Sequence, residues 1–424
     1  MRYIAPLLLL AACSGKVVES EPPAAPQVPE VTPTPTAAAT PDAATPPAAA
    51  APTGSINATG IALQKQLFTN PARNEVFSPA SISIAFAMLA AGAKGQTADQ
   101  LYTFLNQDPA TAHDTLGGMV KTWNDQGNEA PLTLAVANRV WMDGGLSVLD
   151  SYLATTRDQY GAEASTLDFR GSAEASRETI NSWVEENTND RIVDLIPQGS
   201  VTSDTLLVLT NAVYFKADWD VAFDVDKTED KPFTTGLSET VQVPTMHAQQ
   251  SMAYAETDNA RMVMLPYKGG TADFLVVLPK DQTLSALENA MTPELIDGWV
   301  HAAHPTSVDL ALPKFTLDAS YDSLAAPLGF LGVTDAFSSQ ADFSGISPNE
   351  GLYVSDAIHK AFILVDETGT EAAAATAIVM RGLSMPPQAT PFHVDQPFWF
   401  AVRDRTTGTL LFTGHVADPS KSTQ

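Results

Sequence analysis

The sequence predicts a single α+β domain between about Ser55 and Pro419. Three observations lead there. Helical patterns crowd the first part of this segment and strand patterns the second, with little of the alternation that a doubly wound sheet requires. The run Leu206 to Phe215 is apolar at both parities, as a strand covered on both faces and central in a sheet must be. No Pro/Gly/Ser-rich break and no repeat interrupts the segment.

The elements follow in chain order. Ala58 to Phe68 is amphipathic. Ser78-Pro79 opens a second helix, Ala80 to Gly92, with proline in the first turn, where its missing N–H costs nothing. Thr97 to Leu105 reads as a third helix. Ser176 to Asn187 carries Ile180, Trp183 and Val184 on one face. Strands then dominate. Met262 to Leu265 and Asp273 to Leu278 are joined through Gly269-Gly270. Val308 to Leu317 and His359 to Glu367 are further strands, and Phe398 to Val402 with Thr409 to His415 form a hairpin around Thr407-Gly408.

The chain ahead of the domain has a different character. Met1 and Arg2 form a basic start, Ile4 to Ala12 are apolar, and Leu10-Ala11-Ala12-Cys13 resembles the lipobox of bacterial lipoproteins. Residues 1–12 are then a signal peptide, and Cys13, the single cysteine, is the lipidated residue. The competing reading is a short export signal with an incidental cysteine. Ser14 after the cysteine resembles outer-membrane lipoproteins of Gram-negative cells. Residues 13–54 hold ten prolines between Pro22 and Pro52 among Ala and Thr. They read as a semi-rigid tether, extended at ~3.1 Å per residue. The domain is 55–419, and 420–424 is a tail. The expected location is outside the cytoplasm, lipid-anchored to the bacterial outer membrane and facing the periplasm or the cell surface.

Composition narrows the function. Of 424 residues 44% are hydrophobic, enough for a large core, and the formal net charge of −26 argues against nucleic acid as a partner and favours a soluble monomer. Motifs for a hydrolase, a zinc protease or a phosphate loop are missing. His301 and His304 could share a helix face, but two histidines without a third ligand read as surface residues. No enzyme activity, cofactor or metal is expected.

The segment Val365 to Pro387 reads differently at period two. Thr370, Ala372, Ala374, Thr376 and Ile378 fall on one face of a hypothetical strand, and all are uncharged. Here the chain resembles the serpin family. The hinge pattern Glu-x-Gly-Thr-Glu-Ala-Ala-x-Ala is matched by Glu367, Gly369, Thr370, Glu371, Ala372, Ala373 and Ala375, with Ala374 in the open position. Further matches follow in order: Asn74 to Ser83, Asn211 to Lys216 with Trp219 after it, Leu312-Pro313-Lys314-Phe315, His359-Lys360-Ala361, and Pro397-Phe398 with Gly414.

The resemblance implies eight or nine helices, three sheets with a five-stranded main sheet, and an exposed reactive-centre loop from about Gly369 to Pro387. It implies a suicide-substrate inhibitor: a serine protease attacks the loop, forms an acyl-enzyme, and is carried off as the cut loop inserts into the main sheet. From Gly369 to Leu383 are 14 residue steps, a span of roughly 46 Å as a strand. Counting from Glu367 puts the reactive bond at Leu383–Ser384, suited to chymotrypsin-, elastase- or subtilisin-like proteases. The rival bond, Arg381–Gly382, would suit trypsin-like ones. By the same resemblance Ser78, Ser81, Asn211 and His359 form a buried cluster under the opening sheet, while Lys314 pairs with Glu367 near Trp219. Ala110 to Gln126, where some serpins bind heparin, holds one basic residue, Lys121, so no heparin is expected. The alternative function is a non-inhibitory serpin acting as a binding or chaperone-like module.

Overall fold

The computed structural model describes residues 53–127, 132–162, 164–348, 351–355, 357–370 and 389–421. In chain order the elements are α1 (Thr53–Leu67), β1 (Glu75–Phe77), α2 (Pro79–Ala90), α3 (Gly95–Leu105), α4 (Ala112–Gly127), β2 (Leu132–Asp143), α5 (Asp150–Tyr160), β3 (Ala164–Leu167), α6 (Phe169–Asn187) and β4 (Leu207–Asp218). There follow β5 (Glu229–Thr234), β6 (Thr240–Glu256), β7 (Ala260–Pro266), β8 (Ala272–Pro279), α7 (Leu284–Ala290), α8 (Pro293–Ala302), β9 (His304–Pro313), β10 (Phe315–Tyr321), α9 (Ala325–Phe330), β11 (His359–Val365), β12 (Gly369–Thr370), β13 (Thr390–His393), β14 (Phe398–Asp404) and β15 (Leu410–Val416).

Hydrogen bonding joins these strands into two sheets among the described residues. One runs β10-β11-β12-β4-β2-β3. It has four long strands, the four-residue β3, and the two-residue β12, which separates β11 from β4 only at one end. Farther along, β11 and β4 pair directly and in parallel. The other sheet runs β1-β15-β14-β8-β7-β6-β9-β13, with β5 beside β6. Two of the three expected sheets are continuous here because β6 serves both: Ala253–Glu256 pair β7, and Thr245–Tyr254 pair β9.

The main core fills the space between the two sheets and around α2. All twelve residues of α2 are buried, as an apolar helix without a polar face requires. A smaller core, with Trp141, Phe169, Ile180, Val184 and Phe362, lies between α6 and the six-stranded sheet. A third holds α7 and α8 against the nine-stranded sheet.

Four expectations need correction. Val308 to Leu317 is two strands, not one. Pro313 ends β9 and Lys314 turns the chain, its N–H bonded to Pro244 O, so that β10 enters the other sheet. His359 to Glu367 stops at Val365, where Asp366 starts a turn. Gly369 and Thr370, expected at the start of an exposed loop, are buried in the sheet. His301 and His304 do not share a helix face, since α8 ends at Ala302 and His304 begins β9. Strand β2 and helix α5 had no clear sequence signal. Cys13, the tether through residue 52, and the segment that carries Glu371, Ala372, Ala373, Ala374, Ala375, Leu383 and Ser384 lie outside the described residues, while Thr53 and Gly54, expected in the tether, begin α1.

Candidate functional site

The gap between β11 and β4 is where the sequence-derived residues collect, in two separate groups. The first is at the open end. Beyond Val365 the chain reverses over Asp366–Gly369. Asp366 Oδ1 accepts from Thr368 N–H (2.9 Å), Thr368 Oγ1 (2.7 Å) and Gly369 N–H (3.2 Å). A side-chain oxygen bonded to the backbone two and three residues ahead makes this a tight turn without help from a longer loop. The turn delivers Gly369 and Thr370 into the gap, where Thr370 pairs Val365 on one side and Ala217 on the other. Position 369 admits only glycine: a Cβ there would stand 2.1 Å from Ala217 O and 2.7 Å from Asp218 Cα.

Three side chains hold this turn. Trp219 donates its indole N–H to Asp366 O (2.8 Å), and its backbone N–H to Thr368 O. Its ring stacks on Tyr267 at 4.7 Å and 11°. Tyr267 in turn meets Thr370 hydroxyl to hydroxyl, 2.5 Å apart, both groups fully buried. Glu367 accepts from Lys314 Nζ at 2.6 Å through one oxygen and from Thr228 Oγ1 at 2.7 Å through the other. Burial pushes the Glu367 carboxyl up. The hydrogen bonds from Lys314 and Thr228 and the lysine charge outweigh it and hold the group below the usual carboxylate range.

The second group lies where β11 begins. His359 is 0% exposed, and its Nε2 accepts the Ser78 N–H at 3.1 Å. An accepting nitrogen is an unprotonated one, and burial pushes the His359 pKa down to about 3. Ser78 Oγ accepts from Ser81 N–H, capping α2, and donates to Leu411 O of β15 at 2.6 Å. The His359 ring also lies parallel to Tyr321, whose hydroxyl donates to Glu75. One histidine thus ties β11 to α2.

The structure therefore brings Ser78, Ser81 and His359 together, and separately Trp219, Lys314, Glu367, Gly369 and Thr370. Asn211 stands in β4, opposite Asn138 of β2. Tyr267, Thr228 and Asp366 were missed. Asp366-Glu-Thr-Gly is readable as an Asp-capped turn, and Tyr267 precedes the Gly269-Gly270 turn, but Thr228 has no local signal.

With that geometry in place, comparison with known proteins is direct. Residues 55–419 match the family described as Serpin (serine protease inhibitor). A leukocyte elastase inhibitor of Bos taurus is 38% identical over 362 residues, covering 82% of this chain and 94% of the relative. An uncharacterized serpin-like protein of Thermococcus kodakarensis is 38% identical over 371 residues, with 86% and 85% covered. Among solved structures, human thyroxine-binding globulin complexed with thyroxine superposes with a TM-score of 0.79 at 31% identity, covering 88% of this chain and 99% of that one. Uncleaved ovalbumin gives 0.77 at 27% identity, covering 87% and 100%.

Proposed function

The chain belongs to the serpin family, and we propose that it is a suicide-substrate inhibitor of chymotrypsin-, elastase- or subtilisin-like serine proteases, working by insertion of its cut loop between β11 and β4. One observation carries this reading: Thr370 already occupies that gap, paired on both sides.

Continuing the same registers one residue at a time would set Ala372 between Ile363 and Phe215, Ala374 between Ala361 and Val213, and Thr376 between His359 and Asn211. The described neighbours on that face are buried in the main core, so only small uncharged side chains fit. That explains the parity of the segment. It also names a driving force. Insertion would exchange three parallel pairs, Lys360–Phe362 with Ala212–Tyr214, for antiparallel ladders on both sides of the new strand. Antiparallel pairing is somewhat the stronger per residue, and the new strand adds burial to offset its ordering.

Leu383–Ser384 is the proposed reactive bond. The test is to mix the protein with elastase, chymotrypsin, subtilisin and trypsin and look for complexes that survive SDS. The C-terminal fragment released should begin at Ser384 by mass. Cleavage with no complex and no gain in thermal stability would defeat inhibition, and a fragment beginning at Gly382 would move the bond to Arg381. Export and lipidation at Cys13 complete the proposal: Cys13→Ser should release the protein from the membrane fraction.

A further inference from the structure

Two exposed valines stand beside the wedge and take no part in holding it. Seven large apolar side chains are exposed among the described residues, and only Val221 (55%) and Val225 (67%) lie within five positions of one another. Both belong to the segment between β4 and β5 that braces the turn at Asp366. Ahead of Val221, Trp219 N–H donates to Thr368 O at 2.9 Å, and between the valines Phe223 N–H donates to Glu367 O at 2.8 Å. Beyond Val225, Thr228 Oγ1 donates to Glu367 at 2.7 Å. Phe223 is 5% exposed and packs edge-on against Trp219. The segment is pinned at three places while its two apolar side chains face water. An apolar pair on a fixed support loses little freedom when a partner covers it, which is what an interface anchor requires.

Chain length and charge select what covers the pair. Residues 371–389 are 19 in number and join Thr370 to Thr390, so the middle of that stretch stands no more than about 35 Å from Thr370. A compact protease domain of about 240 residues is roughly 45 Å across. A protease working on the loop is thus within its own width of the valines. Asp220, Asp224 and Asp226 are exposed around them, and of these three only Asp224 has a cation in reach among the described residues, Lys227 at 3.6 Å. An apolar pair ringed by such acids is complementary to an apolar rim ringed by Lys and Arg. A second copy of this chain, with its net charge of −26, is repelled by the same ring.

We propose that residues 220–227 form a second contact surface for the attacking protease, one that selects enzymes whose cleft is bordered by apolar and basic side chains. This deepens the inhibitor reading above and rests on it. The valines are covered as the encounter complex forms, which slows its dissociation before cleavage. The aspartates draw in a basic enzyme and raise its on-rate. Neither effect enters the insertion step. Association rate therefore depends on this rim, and the fraction of enzyme trapped per cleavage does not.

The experiment uses the full chain and two chymotrypsin-like proteases that both cut after apolar residues, one of positive and one of negative net charge. V221S/V225S should slow association with the positive enzyme roughly tenfold, the size two half-covered aliphatic contacts can give, and leave the number of inhibitor molecules consumed per trapped enzyme unchanged. D220N/D224N/D226N should slow the same association about fivefold at about 50 mM salt and little at about 500 mM, and should not slow the negative enzyme. L237S, which removes a side chain 61% exposed on the turn between β5 and β6, should change nothing. Native rates in both rim variants overturn the proposal, as does equal slowing by L237S. The same variants are then tested for binding to the positive enzyme with its catalytic serine replaced by alanine. If the native chain traps no protease, the inhibitor reading fails, while this binding still decides the rim: weaker binding by both rim variants upholds it, and native binding by both sinks it.

Discussion

Strands β4 and β11 meet in two different ways along their shared length. At one end Gly369 and Thr370 hold them apart, each strand bonded to the wedge. A few residues away Lys360–Phe362 bond Ala212–Tyr214 directly. The wedged end is polar and over-determined, with Trp219, Tyr267, Glu367, Lys314 and the Asp366 turn all acting on four residues. The closed stretch depends on three parallel pairs and on a neutral histidine that ties β11 to α2. One strand pair therefore holds both a wedged and a closed arrangement. Under the proposed insertion, resistance to further opening would belong to the closed stretch and commitment to the first step to the wedge.

The severest way to break this contrast is Thr370→Arg. Thr370 is 0% exposed between two paired strands, and an arginine there would have to bury an unpaired charge, at a cost of several kcal/mol. The wedge should leave the sheet, and the variant should be cleaved by elastase without forming an SDS-stable complex. Full inhibition by that variant would count against insertion. Gly369→Ala should act next most strongly. The added methyl meets backbone atoms of Ala217 and Asp218 that cannot step aside, an overpacking cost of about 1–3 kcal/mol. Hydrogen exchange should quicken at Ala217 and Asp218 and stay slow at Lys360–Phe362. Loss of protection in both places would mean the two arrangements are not separable.

The closed stretch has its own handle in pH. His359 keeps its proton off until about pH 3 when folded, against about 6.5 in an unfolded chain. A histidine with a lowered folded pKa stabilises fully above pH 6.5, and that contribution drains away as pH falls toward 3. At pH 5 the loss is about 2 kcal/mol. His415 is equally buried but opposite in sign. Burial pushes it down, while its bond to Glu288 and that carboxylate's charge outweigh burial and raise it, so its contribution is kept in acid and lost in base. The urea midpoint should therefore fall between pH 6.5 and 4 in the native chain and much less in His359→Gln, whose amide can accept from Ser78 without titrating. Equal slopes would remove His359 from this role.

Parts of this contrast were legible in the sequence. Ser78-Pro79 announced the capped start of α2, and the two-parity run at Leu206 announced a central strand, because caps and burial are written locally. Of the period-two run of small residues only Thr370 lies among the described residues, and the pairing of Lys314 with Glu367 came with the family resemblance. The wedge itself was not legible. A two-residue strand has no periodicity, and the turn at Asp366 looked like the end of a longer strand. Nor was the break at Pro313-Lys314 visible, since apolar residues flank it on both sides and the change of sheet is decided by contacts far along the chain. Tyr267 and Thr228 reach their partners across 103 and 139 residues, distances at which a single sequence carries no pairing signal.

The finest test asks how much the Tyr267–Thr370 contact contributes to the wedge. Tyr267→Phe keeps the stack on Trp219 and the contact with Phe215 and removes only the hydroxyl. It leaves Thr370 Oγ1 buried without that partner, a loss of about 1 kcal/mol. Thr370→Val does the same from the other side, leaving the Tyr267 hydroxyl buried. Replacing both removes the pair together, and a buried apolar pair of similar shape is close to neutral. Exchange at the Gly369 and Thr370 amides should quicken about fivefold in each single variant and return toward the native rate in the double. Such a cycle gives a coupling of about 1 kcal/mol. Additive effects would mean the hydroxyls are not coupled, and the wedge would then be held by its ladder pairs, the Asp366 turn, the Trp219 bonds and the Glu367 contacts with Lys314 and Thr228.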